Sequence, residues 1–190
     1  RVKTKNKVRL TFEELRHIQR YNFADNPRLE RVRDLFIVGC FSGLRYSDWK
    51  KVDRNCIELV DGKELLLKVW TQKTKKEVLI PYFPEVKTVL EKYDYNLPKI
   101  SGQKFNDYIK EVCKIADIDS EFSRVYSEAG SIDYDTAKKA DYVSSHAARR
   151  SFATNFYEAD LMDVVELMDI LGHATERQFF AYIDFDKKKR

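Results

Sequence analysis

The segment Leu171–Tyr182, LGHATERQFFAY, sets a tyrosine nine residues after His173, one of three histidines in the chain. A phenol has a pKa near 10. It attacks an electrophile only when a base or a strong positive field stands beside it. Tyr182 is one of 11 tyrosines, beside 12 phenylalanines, so its meaning depends on what the other segments bring to it. In SSHAARRSFAT, Ser145 as N-cap would put His146 in a first helical turn, with Arg149 three residues on along the same face. Arg150 is then rotated roughly 100° away. His146 and Arg149 can meet one anion at a helix N-terminus. The plainer alternative is a packed histidine and a surface arginine. In FSGLRYSDW, Arg45 sits between Leu44 and Tyr46, with Asp48 three residues later. A partly buried guanidinium needs an anion. Asp48 can orient Arg45 toward a ligand, or the two can form a purely structural pair. The basic turn TQKTKKE offers Lys73, with Lys75 and Lys76 as alternatives.

Two arginines, two histidines, a lysine and a tyrosine suit phosphodiester cleavage. Arginines can hold two phosphate oxygens and stabilise charge that grows in the transition state. A lysine or histidine can protonate the leaving 5′-oxygen. The sequence has no H-E-x-x-H motif and no C-x-x-C pair, and DIDSE lacks an EF-hand loop around it, so no metal and no cofactor are expected.

These residues need a scaffold. Thr11 with Glu14 reads as a capping box opening a helix. Asn26 and Pro27 open a second helix, which Gly43 ends. CIELV, ELLLKVW and EVLIP read as strands, the first turning at Asp61–Gly62, with Lys73 in the turn between the other two. Val86, Val89, Leu90 and Tyr93 share one helical face; so do Phe105, Tyr108, Ile109, Val112, Cys113 and Ala116. Residues 118–143 read as polar and irregular, with a turn at Gly130 and a short strand in FSRVYS. Three helices close the chain. On a continuous helix His173 and Tyr182 would lie on roughly opposite faces. A stop at Gly172 and a new start capped by Thr175 free them to converge. The layout is α+β, mostly α-helical with a small three-stranded antiparallel sheet.

With 43% apolar and 35% charged residues over 190 positions, the chain can bury one sizeable core. No apolar run is long enough to span a bilayer, and no membrane association is expected. Cys40, Cys56 and Cys113, odd in number and widely spaced, point to a reduced, intracellular protein. The net charge of +4 is modest, but basic clusters stand at residues 1–9, in the lysine turn and in the tail DKKKR. Each can follow a phosphate backbone or simply be solvated. Trp49 and Trp70 read as core or rim aromatics, and His17 as a surface residue.

The stretches FSGLRYSDWKKV, TQKTKKEVLIP, SSHAARRSFAT and ILGHATERQFFAYI resemble, in residue type and order, the catalytic domain of the tyrosine recombinases, or phage-type integrases. The likeness is greatest to integrases of conjugative transposons and related mobile elements, and it covers almost the whole chain. It implies that fold, and these roles. Arg45 and Arg149 clamp the scissile phosphate, with Asp48 supporting Arg45. His146 moves a proton or touches the phosphate, and Lys73 is the general acid. His173 bonds the phosphate and buttresses the nucleophile, and Tyr182 forms a 3′-phosphotyrosyl bond and releases a 5′-hydroxyl. Ser42 stands where threonine is commoner. The resemblance further implies double-stranded DNA as partner, a homotetramer on paired sites, accessory DNA-bending or excision proteins, neither metal nor ATP, and a place in the bacterial cytoplasm on the nucleoid. It makes residues 1–10 a basic linker from an N-terminal core-binding domain, and 11–190 the catalytic domain. Only eight residues follow Tyr182, so the helix that many relatives exchange between subunits is expected to be missing or provided otherwise. Type IB topoisomerases, with a similar residue set, and a DNA-binding module without catalysis are the alternatives.

Overall fold

A computed structural model describes residues 3–4, 7–62, 64–128 and 131–183. At its centre lies α2 (Pro27–Ser42), which packs against α1 (Phe12–Arg20), α4 (Pro84–Lys92), α5 (Gly102–Ile115) and α6 (Ser145–Glu158). From Val32 to Ser42 every residue of α2 is buried. The burial extends to two charges, Arg33 and Asp34. Asp34 accepts from Arg33 Nε at 2.5 Å, Lys92 Nζ at 2.7 Å and the Tyr93 hydroxyl at 2.8 Å. Arg33 also donates to the Gln19 and Tyr21 carbonyls, so this buried network ties α1, α2 and α4 together.

The helix starts follow their caps. Thr11 and Glu14 exchange both capping-box bonds, and the Asn26 side chain accepts from the Leu29 N–H ahead of Pro27. On α5, Phe105, Ile109, Val112 and Cys113 are buried as one stripe, and Ala116 just beyond the helix is buried with them. The three cysteines are free, with Cys40 and Cys113 in the core.

The strands β2 (Ile57–Val60), β3 (Glu64–Trp70) and β4 (Glu77–Pro81) form the expected antiparallel sheet. Its register pairs Leu67 with Ile57 and with Ile80, and Leu67, Val69, Val78 and Ile80 face the core. Trp70 is on the other face and exposed, whereas Trp49 is buried. His17 is exposed.

A second sheet, order β1–β5–β6, was not anticipated in full. The region expected to be irregular holds a long hairpin, β5 (Glu121–Glu128) and β6 (Ser131–Lys138), and β1 (Lys3–Thr4) pairs with β5. Its apolar residues are few and divided between its faces, Phe122 packing against the core and Val125 lying opposite Tyr134, so the alternation is weak; the short strand expected in FSRVYS is part of β5. The turn expected at Gly130 and the basic tail lie outside the described residues. None of the described helices is long and apolar enough to cross a membrane.

Residues 7–10 are not a free linker. Val8 and Leu10 are buried in the core, and the Leu10 backbone bonds Ser151 Oγ and Asn155 Nδ2 of α6. Arg9 reaches Asn155 at 2.8 Å and Glu158 at 2.8 Å.

The end of α2 is built tightly around the residues that follow it. Gly43 adopts φ +64° and closes the helix, and a Cβ there would lie 2.5 Å from the Phe152 ring. A Cβ on Gly39 would overlap the Trp49 ring, whose indole N–H donates to the Leu44 carbonyl at 3.0 Å. Gly39→Ala is therefore expected to destabilise the fold by ~1–3 kcal/mol, the usual range for overpacking. A lower urea midpoint with an unchanged slope checks this.

Candidate active site

Three helix ends and one strand turn converge on Tyr182. The first is the end of α2, where the left-handed turn at Gly43 sends Leu44 into the core and leaves Arg45 at the start of α3 (Tyr46–Trp49). Arg45 is half-exposed and forms no ion pair with Asp48. That corrects the expected pairing. The Asp48 carboxylate is fully buried, accepts the Gln72 backbone N–H at 2.9 Å and lies 3.3 Å from Lys51 Nζ. It therefore holds the start of the lysine turn rather than the arginine. Its other oxygen, Oδ2, has no hydrogen-bond partner.

The turn itself is pinned by Thr71, whose N–H and hydroxyl both donate to the Lys76 carbonyl at 2.9 Å. Lys73, Lys75 and Lys76 all project into solvent. Of the three, the one whose charge reaches His146 is Lys73.

The next helix end is the start of α6. Its N-cap is Ser144, one residue earlier than the sequence suggests, and His146 is still in the first turn. The Asn106 side chain of α5 accepts the Ser145 N–H at 2.9 Å and so serves as a cap from outside the helix. His146 has an exposed edge. Partial desolvation and the charges of Arg150, Arg149, Lys73 and Arg45 hold its imidazole below the usual histidine range.

Arg149, one turn further on, is 4% exposed. Its guanidinium donates to the Gly43 carbonyl at 2.5 Å and to the Leu171 carbonyl. It thus bolts the C-terminal end of α2 to that of α7 (Val164–Leu171). Burial pulls its pKa down to about 10, against the opposing influence of the neighbouring Tyr182 phenol.

The third helix end is the C-terminus of α7. Gly172 at φ +60° stops the helix, and the His173 N–H returns to the Met168 carbonyl at 2.9 Å. Thr175 then caps α8 (Glu176–Tyr182) by accepting the Gln178 N–H. The break does what the spacing requires. His173 and Tyr182 meet edge to face, with ring centroids 4.9 Å apart. Burial, then the charges of Arg149, Arg45 and Lys7, push the His173 pKa down to about 4. Its Nδ1 has no hydrogen-bond partner.

Tyr182 stands on the last turn of α8. Its hydroxyl is buried beside the Arg149 guanidinium. Two further cations lie over its ring, Arg150 at 5.4 Å and Lys7 at 5.9 Å from the centroid. Neither was singled out from the sequence. Arg150 was set aside because its helical phase turns it from Arg149, and Lys7 was counted with a basic linker. The doubled Arg149–Arg150 is the one sequence signal that pointed there.

All six expected residues therefore reach one cluster. It gathers Arg45, Lys73, Arg149, Arg150 and Lys7 around two imidazoles and one phenol, and the carboxylate that acts on it is Asp48. Such an excess of positive charge, partly out of water, calls for an anion. Among the described residues, no three His, Cys, Asp or Glu side chains gather as metal ligands would.

No protein-family model matches the sequence, and no curated protein matches it. Solved structures do, and they define the fold as that of the tyrosine recombinase catalytic domain. The XerH site-specific recombinase, bound to a palindromic difH substrate in a post-cleavage complex, superposes with a TM-score of 0.65 at 17% identity. That match covers 97% of this chain and 51% of that one. The lambda integrase catalytic core gives 0.57 at 20% identity, over 88% of this chain and 92% of that one. The Tn1549 transposon integrase in complex with transposon right end DNA gives 0.60 at 15% identity, over 97% and 64%. The chain thus spans about half the length of the XerH protein and under two thirds of the Tn1549 integrase.

The depressed His173 pKa has a consequence for stability. The folded state binds fewer protons at this group than the unfolded state between about pH 4 and the ordinary histidine value of 6.5. Its contribution to stability is complete above pH 6.5 and is lost as the pH falls toward 4. His173→Gln is expected to flatten that part of the stability–pH profile. Proton NMR of the wild-type ring should show no titration between pH 6 and 8, since that window lies above its pKa of about 4.

Proposed function

We propose that this chain is the catalytic domain of a site-specific DNA recombinase in which Tyr182 is the nucleophile. One observation carries the reading. A single phenol hydroxyl is buried beside the Arg149 guanidinium, inside a cluster of cations that has almost no counter-charge of its own. The fold it shares with XerH, lambda integrase and Tn1549 integrase supports double-stranded DNA as the partner.

In this mechanism the cluster receives one phosphodiester. Arg45 is half-exposed and unpaired, and binds the phosphate directly. Arg149, fixed by two carbonyls, keeps its charge next to the reacting phenol. The Tyr182 oxygen forms a bond to phosphorus, and the bond from phosphorus to the 5′-oxygen breaks. The phenol proton passes to His146, whose imidazole is held below the usual histidine range by partial desolvation and then by its cationic neighbours, and so is neutral near pH 7. Lys73, free in solvent on its turn, delivers a proton to the departing 5′-oxygen. His173, also neutral, donates to a phosphate oxygen and braces the tyrosine ring. The strand is held as a 3′-phosphotyrosyl ester, and a 5′-hydroxyl from another strand reverses the step. One phosphate ester replaces another, so the exchange is near balance and needs no ATP. Four protomers on two paired sites complete the recombination, assisted by DNA-bending or excision proteins.

The test is a nicked suicide DNA substrate carrying the target site. The wild-type chain should give a covalent adduct that survives denaturation, and Tyr182→Phe should give none. Arg45→Ala should slow adduct formation by ~10²–10³-fold, the usual loss when one donor to a developing charge is removed. Equal adduct yields from wild type and Tyr182→Phe would remove Tyr182 from the mechanism.

A further inference from the structure

The helix that carries Tyr182 has seven residues. A helix this short does not hold itself in water, and its last carbonyls have no partners within the helix. One of them is satisfied from far away in the chain. Lys7 Nζ donates to the Ala181 carbonyl at 3.3 Å, immediately before the tyrosine. The same ammonium lies 5.9 Å from the centroid of the Tyr182 ring. Lys7 takes part in none of the ion pairs of the described residues. A cation in this position favours the C-terminal end of a helix and meets its exposed carbonyls.

Lys7 is itself held in place. The next residues are anchored on α6: Val8 accepts from Arg150 at 2.9 Å, Leu10 is fully buried, and Leu10 bonds both Ser151 and Asn155. Arg150 in turn lies 5.4 Å from the centroid of the same Tyr182 ring. The N-terminal segment therefore connects α6, which carries His146 and Arg149, to the last turn of α8.

We propose that Lys7 is a positioning residue for the nucleophile, fixing the end of α8 to α6 so that the Tyr182 hydroxyl stays inside the cation cluster. The role deepens the function proposed above and rests on Tyr182 being the attacking group. The ammonium also adds positive charge beside a ring whose oxygen gains negative charge as it leaves its proton.

Two measurements on the full chain test it, using Lys7→Met, which keeps the aliphatic stem, and Lys7→Arg, which keeps the charge. The first is hydrogen exchange of the backbone amides of residues 179–183 without DNA. Lys7→Met should exchange several-fold faster than wild type, and Lys7→Arg should be close to wild type. The second is single-turnover adduct formation at saturating suicide substrate. Lys7→Met should be slowed about tenfold, the effect of losing one charge-assisted hydrogen bond. Its DNA affinity should stay within about twofold, since one lost phosphate contact would act on binding. Unchanged exchange in Lys7→Met overturns the proposal, and so does a rate defect that saturating DNA abolishes. If exchange changes as expected but wild type and Tyr182→Phe give the same adduct, Lys7 still holds α8 and it is the nucleophile assignment that falls.

Discussion

The site depends on one buried guanidinium. Arg149 joins the carbonyl that ends α2 to the carbonyl that ends α7, and it does so with almost no access to water. A cation in that position is costly unless its donors are satisfied. Two carbonyls at helix C-termini, each at the negative end of a helix dipole, supply that satisfaction. Arg45 leaves α2 just after the first of these carbonyls, and His173 leaves α7 just after the second. The arginine therefore holds in register the two chain reversals that deliver the other functional groups.

A second constraint is electrostatic. The cluster keeps both of its histidines neutral, first by taking them partly out of water and then by surrounding them with cations. Neutral imidazoles can accept or donate a proton at pH 7, whereas imidazoliums would add repulsion to an already positive site. Asp48 tempers that repulsion from below, through its influence on Arg149, and at the same time anchors the lysine turn through the Gln72 N–H.

The helices were readable because their caps are local chemistry. Thr11, Asn26, Thr175, Gly43 and Gly172 each act within four residues of themselves, and each does what its type implies. The central sheet was readable from its apolar strands and from the Asp61–Gly62 turn. Of the second sheet only the strand in FSRVYS was readable, because its hairpin carries few apolar residues and its third strand comes from the other end of the chain. The site shows the same division. Residue type and spacing pointed to Arg45, Lys73, His146, Arg149, His173 and Tyr182, all near helix or strand ends. Arg150 and Lys7 escaped because their roles arise from contacts between segments 142 and 174 residues apart in sequence, which no local pattern records. Asp48 was assigned to the wrong partner for a related reason. A spacing of three residues fits an Arg45–Asp48 pair, but the competing N–H of Gln72 comes from another element.

Gly172 does more than end a helix. A Cβ there would stand 2.8 Å from the Thr74 methyl, so the backbone before His173 and the tip of the lysine turn touch with no room between them. Thr74, Lys76, Met168, Asp169, Gly172, His173 and Ala174 line the small cleft where they meet. A rearrangement that swung α8 outward through this loop would drag against the turn, and a displacement of the turn would press on the loop. The lysine turn and the loop that leads into the tyrosine's helix are thus in direct contact, and neither can shift far without displacing the other.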